Sequence, residues 1–465
     1  MSESNVALKK EDVAIYVEPK KRMPLVVILM LGFTGSAIFG YGLATAMVAI
    51  GTEMNNFAMI AWLFTASNIV QMVMQPLIPG ISSKITLPRL VLIGLIVAVA
   101  ANGLFMVVPT LGAMIALRAF TGFGGAVINT GGMALAGQVV TPDKRATVTG
   151  LNMAFNGIGS VVGPLLAGAF TDMGFWRGWT LVALVVMVVT LILYIIFYPK
   201  GVQADKGAKF DLAGVIFLAI IFVALAMFLQ MSGTYWAWLS APAILLLVVT
   251  AVFLILFIKR ELKVEKAGDR PAFRVTLFKF NPFLIASLCA LVVCIGTNGI
   301  ATYVPTYGQT VLGLSATQSS LGYSIGSILV ILVALMNTYF FGKKRWFKFC
   351  NTFGCACGIV VSVIFLLAGH MAAGLFIFLI AFYCIWTGWI SSVNFAITQM
   401  MLKTEDILDG VAGVTSMQMI GAFLGVALNA ALVNTVGFNG LWIACIVSFL
   451  ASLVIMLFLK DPAKE

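Results

Sequence analysis

Long apolar segments follow one another along the whole chain, and positive charge gathers in every second gap between them. Fourteen can be drawn, over roughly 24–49, 56–78, 89–109, 111–137, 146–171, 178–198, 211–232, 239–260, 281–306, 317–341, 347–369, 371–399, 408–434 and 437–459. Each approaches the 20 or so apolar residues that a membrane-spanning helix needs. All but two of the 28 Lys and Arg residues lie in alternate gaps or in the tails; Arg177 sits in an opposite gap and Arg118 inside a segment. Positive charge in short loops stays cytoplasmic, so the basic gaps and both tails are expected inside. An even number of spans satisfies every gap at once. Membrane β-barrel strands would be shorter and would alternate in polarity. The expected fold class is therefore all-α integral membrane, with fourteen transmembrane helices.

Composition limits what such a chain can do. Hydrophobic residues make up 61% and charged residues 10%, against about 25% charged in soluble domains. The net charge of +11 then reflects topology and attraction to anionic lipid heads, and no nucleic-acid partner is expected. The first apolar stretch follows Lys20, Lys21 and Arg22 and exceeds a signal-peptide core of about 7–15 residues, so it is expected to stay as the first span. Polar stretches at 200–210 and 260–280 divide the chain. The expected parts are an amino tail 1–23, a six-helix bundle 24–199, two inserted helices with cytoplasmic connectors 200–280, a second six-helix bundle 281–459 and a tail 460–465. The second connector mixes charges of both signs with aromatics and is expected to lie partly on the membrane surface.

Most enzyme chemistry is missing. The seven Cys are scattered, and the only close pair, Cys355 and Cys357, has Gly and aliphatic neighbours, as small buried thiols do. With His370 as the single His, no His-based metal site or Ser-His triad can form within the chain. A phosphate-cradling G-x-x-x-x-G-K-[ST] loop is absent as well. No cofactor, no metal and no catalytic residue are expected.

The charge inside a segment is the informative one. An Arg at mid-membrane is unfavourable by roughly 2.5–3.5 kcal/mol on insertion scales, so Arg118 is expected to face a protein interior or a wet cavity. It could tie helix ends together through carbonyls, or hold a ligand. By the segment limits, all seventeen acids fall in tails, gaps or segment ends. That leaves Arg118 without a mid-membrane carboxylate and favours the ligand reading.

The fifth segment reads TGLNMAFNGIGSVVGPLLAG, with Gly150, Gly159, Gly163 and Pro164 at fixed spacing. Gly159 and Gly163 share a face and suit close helix packing, and Pro164 removes a helical hydrogen bond and should bend the helix. Arg118 with Gly122 precedes it on the fourth segment. Pro142-Asp143-Lys144-Arg145 and Trp176-Arg177-Gly178-Trp179 flank it, and Phe210-Asp211-Leu212-Ala213-Gly214 opens the seventh segment. Tyr303, Pro305 and Tyr307 are followed by Gly313 and Ser315 after the ninth. Together these resemble the motifs of the major facilitator superfamily, in particular its fourteen-helix drug:proton antiporter branch, over about residues 24–459.

The resemblance implies a secondary transporter with a 6+2+6 plan, in which helices 1, 4, 9 and 12 line a cavity and 2, 5, 10 and 13 flank it. Candidate substrate-binding residues are then Arg118, Tyr41, Asn68, Gln71, Asn129, Asn156, Asn298, Tyr303, Trp386, Trp389, Asn394 and Gln418. Candidate conformational residues are Gly150, Gly159, Gly163 and Pro164, with Gly80, Lys84 and Arg89 in the signature stretch between helices 2 and 3. Two positions depart from the family pattern: Lys84 stands where an acid is usual, and the first helix carries no acid. The expected partners are a small amphipathic organic substrate and membrane lipids, with protons or another coupling ion as candidate drivers. A monomer in the cell membrane is expected. The resemblance favours multidrug-type efflux, while the charge pattern suits an organic-anion carrier for a bile-acid-like or other carboxylate. Both readings stay open at this point.

Overall fold

The computed structural model describes residues 15–57, 59–75, 77–141, 145–199, 212–232, 235–267, 275–344, 347–368, 371–402 and 407–459. Pro142, Asp143, Lys144, Phe210, Asp211 and His370 lie outside them. Each expected segment is helical. The helices are α1 (Pro19–Met54), α2 (Trp62–Met74 and Leu77–Lys84), α3 (Leu87–Val107) and α4 (Leu111–Val139). They continue with α5 (Arg145–Asp172), α6 (Gly178–Ile196), α7 (Leu212–Met231), α8 (Ala241–Lys266) and α9 (Asn281–Thr310). The last five are α10 (Ala316–Lys344), α11 (Phe347–Leu367), α12 (Ala373–Met401), α13 (Ile407–Val436) and α14 (Phe438–Leu457). Among the described residues, 12 helices are long and apolar enough to cross a membrane. The exceptions are α2, which comes in pieces of 13 and 8 residues, and α10. A helix satisfies every backbone N–H and C=O within itself, which is what a hydrocarbon environment demands.

The chain divides into two compact units, residues 1–43 with 66–212, and residues 44–65 with 213–465. In the first, α1 contributes Leu25, Leu29 and Phe33 to a core shared with Leu90, Val91 and Leu95 of α3, Val127 and Ile128 of α4, and Tyr194 of α6. The Tyr194 hydroxyl donates to the Pro88 carbonyl at 2.9 Å, which gives that buried phenol its polar partner. Residues expected to form a free tail join this core: Ile15 and Val17 are buried, and the Ile15 N–H donates to the Gln138 carbonyl at 3.1 Å. Their alternation with exposed Tyr16 and Glu18 puts one face of an extended segment inward.

The second unit packs α9 against α13 and α14, and α10 against α12. Here α7 sits by its Phe222 ring, 5.7 Å from that of Phe423 on α13, and by the Gln230 amide on the Thr65 hydroxyl. Only Ala243, Phe257 and Glu261 of α8 are buried, so its apolar stretch, 241–258, is mostly exposed, as a lipid-facing helix requires. Helix α8 also runs further than hydropathy alone suggests. It continues through the charged residues to Lys266, which places Glu261 inside a helix and fully buried rather than in a connector. Among the described residues, Arg118 and Glu261 are the two buried charged side chains. Further along, Val275–Lys279 form a short 3₁₀ helix, where Thr276 binds the Glu265 carboxylate.

Candidate functional site

The Arg118 side chain is 6% exposed. One of its guanidinium nitrogens donates to the Thr121 hydroxyl at 3.2 Å, and that hydroxyl donates to the Arg118 carbonyl at 2.8 Å. The guanidinium carbon lies 5.1 Å from the centre of the Phe39 ring on α1, within the range of a cation–π contact. These groups border a chamber of about 50 Å³ lined by Ser36, Phe39, Gly40, Ser67, Gln71, Ala98, Asn102, Arg118, Thr121 and Met187. Four helices, α1, α2, α3 and α4, and Met187 of α6 thus converge on one arginine. Among the described residues, no acidic one lines the chamber.

Glycines bring these helices close enough to enclose it. A Cβ on Gly122 would stand 2.5 Å from the Ser67 carbonyl oxygen, so α4 rests directly on the backbone of α2. A Cβ on Gly124 would meet Ala98 at 2.6 Å, which seats α4 on α3 in the same way. Small residues allow such backbone approach in membrane bundles. Gln71 donates to the Ser67 hydroxyl at 3.2 Å. The Asn102 amide nitrogen donates to the Ala98 carbonyl at 2.8 Å and lies 3.1 Å from the Met187 sulfur, while its buried oxygen has no hydrogen-bond partner.

Of the residues the sequence singles out, the chamber therefore contains Arg118 and Gln71. Asn68 and Asn156 are half-buried and do not line it, and Tyr41, next to Gly40, is exposed. Asn129 lies in a π-helical turn, Val127–Gly132, inside α4, and it too is off the chamber. Ser36, Ser67, Asn102 and Thr121 complete the lining without having been expected. Asn102 carried a visible signal, as the one strongly polar residue in the interior of α3.

The candidates from the carboxyl half belong to the other compact unit. Asn298 donates to the Cys294 carbonyl on its own helix at 3.1 Å, Tyr303 is buried, and Gln418 is half-buried. Trp386 and Trp389 have ring centres 5.5 Å apart, and Phe353 and Phe382 meet Trp386 edge-on. Asn394 is 1% exposed, and neither atom of its amide has a partner. This polar–aromatic group is thus separate from the arginine chamber in the chain's packing units.

The conformational candidates fall in a tight seam. A Cβ on Gly163 would lie 2.7 Å from the Ile38 carbonyl oxygen and 3.0 Å from the Ile38 Cα, and one on Gly159 would run into Ala37. On the α1 side Gly42 answers, 3.0 Å from the Gly163 carbonyl by the same measure. Pro164 lies within the continuous helix α5. Gly80 and Gly150 are helical, and Lys84 and Arg89 are exposed at the end of α2 and the start of α3. The signature stretch from Gly80 to Arg89 is thus helical except at Ile85 and Thr86.

Residues 27–218 match the family model for the Major Facilitator Superfamily. Multidrug resistance protein 3 of Bacillus subtilis (strain 168) is 29% identical over 65% of this chain and 59% of its own length. The multidrug transporter protein MdtP of the same organism is 26% identical over 70% of this chain and 59% of its own. The chain thus spans about three fifths of the length of these two relatives. Among solved structures, a POT family transporter in complex with 5-aminolevulinic acid has a TM-score of 0.67 at 13% identity, covering 93% of this chain and 94% of that one. A mutant of the peptide transporter POT gives 0.66 at 15%, covering 94% and 95%. At those identities the likeness is one of fold. In sequence the chain resembles the drug-transporter branch of the Major Facilitator Superfamily, and these likenesses are to transporters rather than to enzymes.

Proposed function

We propose that this chain is a secondary transporter of the cell membrane that moves a small amphipathic organic compound by alternating access, in the manner of a multidrug exporter. On this reading both tails are cytoplasmic and α7 and α8 are inserted between two six-helix sets, 24–199 and 281–459, with no cofactor and a single chain as the working unit. The observation that carries the reading is the acid-free chamber around Arg118, built in a chain similar to proteins named as multidrug transporters. The guanidinium would meet an anionic or hydrogen-bond-accepting end of the substrate, while its apolar part stays among aliphatic and aromatic side chains.

A second reading, an organic-anion carrier, uptake system or exchanger, has a specific observation in its favour: the lining supplies positive charge and no carboxylate to answer a cationic drug or carry a proton. The two readings separate in proteoliposomes loaded with labelled amphipaths of either sign. Saturable flux is expected, and Arg118→Ala is expected to lower it by at least a hundredfold while insertion and yield persist. Near-normal flux in that variant sinks the site, and linear, non-saturating flux would point to a channel. An imposed pH gradient is expected to have little effect. If it drives accumulation and Glu261→Gln abolishes that drive, Glu261 is the proton carrier and the exporter reading gains its coupling.

A further inference from the structure

Helix α8 sorts its charges by face. Its last two turns carry Lys259, Lys263 and Lys266 at positions i, i+4 and i+7. At about 100° per residue the three fall within an arc of about 60°. All three are exposed, and among the described residues none of them pairs with an acid. Glu261 and Glu265 fall on the opposite side, which is also the side of the buried Ala243 and Phe257. Glu261 is fully buried there, and the hydroxyl and N–H of Thr276 both donate to the Glu265 carboxylate. The fold thus draws the acids inward and leaves the lysines outward.

The lysine stripe continues an apolar one. Leu245, Val248, Val252 and Ile255 precede it on the same side of the helix, and all four are exposed. With 26 residues α8 is about 39 Å long and outruns a hydrocarbon core of about 30 Å. The apolar residues 241–258 fill that core, so the lysines lie at the depth of the lipid headgroups. A stripe of aliphatic side chains ending in ammonium groups has the polarity of a phospholipid, chain beside chain and cation beside phosphate. We infer that this face of α8 is a binding site for an anionic phospholipid. Lys259, Lys263 and Lys266 hold its phosphate oxygens, and the stripe from Leu245 to Ile255 lies along an acyl chain. Three cations with the acids turned away favour a head with two phosphates, of the diphosphatidylglycerol type, over a singly charged one. A zwitterionic head brings its own cation and is disfavoured. The inference requires only that the chain spans a bilayer, whatever compound it moves and in whichever direction.

The test titrates the purified full-length protein in detergent with diphosphatidylglycerol, phosphatidylglycerol or phosphatidylcholine and counts bound lipid by native mass spectrometry. Retention is expected to fall in that order. The triple variant Lys259→Gln, Lys263→Gln, Lys266→Gln is expected to bind diphosphatidylglycerol about a hundredfold more weakly, each lysine contributing about fivefold. Its retention of phosphatidylcholine is expected to stay as it was. The corresponding triple arginine variant, which keeps the charge, is expected to bind as the native chain does. Equal unfolding temperatures in lipid-free detergent check that the glutamine variant folds; should it fail, Lys263→Gln alone decides, with about a fivefold loss expected. Unchanged retention of both anionic lipids in the glutamine variant overturns the inference. So does equal retention of phosphatidylcholine and the anionic lipids by the native chain. A changed oligomeric state in that variant with lipid retention intact makes the face an interface between copies and overturns it too. None of these readouts uses a transported compound, so their failure is distinct from failure of the transport reading.

Discussion

The two compact units close their helix seams with the same device and finish it differently. In the amino-terminal unit Gly159 and Gly163 of α5 rest on the backbone of α1 at Ala37 and Ile38, and Gly42 returns the contact. One hydroxyl crosses that seam, Thr34 donating to the Phe155 carbonyl at 3.0 Å. In the carboxyl-terminal unit Gly421 and Gly425 of α13 rest on Leu291, Cys294 and Ile295 of α9. There, one turn further on, the Asn429 amide bridges to the Ile295 carbonyl at 3.3 Å while also holding Gly425 at 2.7 Å. Gly299 makes room for it. Each seam thus carries one side-chain-to-backbone bond, from a small hydroxyl across α1–α5 and from a bulkier amide, seated at Gly299, across α9–α13. More must disengage before the seated amide can slide than before the hydroxyl can, so movement is expected at α1–α5 and rigidity at α9–α13, an expectation the following variants test.

The largest effect is expected from a side chain placed in either seam. Gly163→Val and Gly421→Val each force a branched side chain against backbone, and overpacking of this kind typically costs about 1–3 kcal/mol. Both should lower the unfolding temperature. The comparison predicts that a second-site change restoring stability recovers transport for Gly421→Val and not for Gly163→Val. Recovery in both would erase the distinction. A middle-sized effect is expected from Asn429→Leu, which removes an interhelical hydrogen bond worth about 1 kcal/mol. It should destabilise the protein while leaving the transport rate of the folded fraction within about twofold, as a comparison of flux per folded molecule will show. The smallest is Gly125→Ala. Its Cβ would sit at ordinary contact distance, 3.6 Å from its nearest neighbour, so stability should hold or rise by up to about 1 kcal/mol, the helix propensity that alanine gains over glycine. A large loss there would mean that α4 is packed more tightly than its neighbours indicate.

Much of this architecture can be read in the residues. The helices follow from apolar length and from charge gathered in alternate gaps. Arg118 and Gln71 announce themselves as polar groups in apolar surroundings, and the glycine spacing of α5 marks the seam it forms. What escapes is whatever depends on register or on partners distant in sequence. The site assignments for Trp386, Trp389 and Asn394 rest on their chemistry, and chemistry does not say which unit a residue packs in. Asn102 looks like an isolated polar residue until α3 and α4 are brought together by Gly124. Hydropathy falls at Lys259 and so places Glu261 in a connector, yet a helix can extend through charged residues when its apolar face, here Phe257, stays buried. Among the described residues the charge map of the interior thus has two members, not one.

The π-turn at Val127–Gly132 has a consequence for every position beyond it. Such a turn holds one residue more than an α-helical turn, and each α-helical residue advances the side chain by about 100°. A helical wheel drawn forward from Arg118 therefore runs out of phase after residue 132, and Met133–Val139 present a face that the pattern before the turn does not predict. Helix α4 is in effect two rods spliced with a phase error, one facing the chamber and the other burying its own Leu135, Ala136 and Val139. A single-residue deletion within 127–132 would correct the splice and swing the second rod away from Ile15 and Val17, so the extra residue sets where these two side chains can dock.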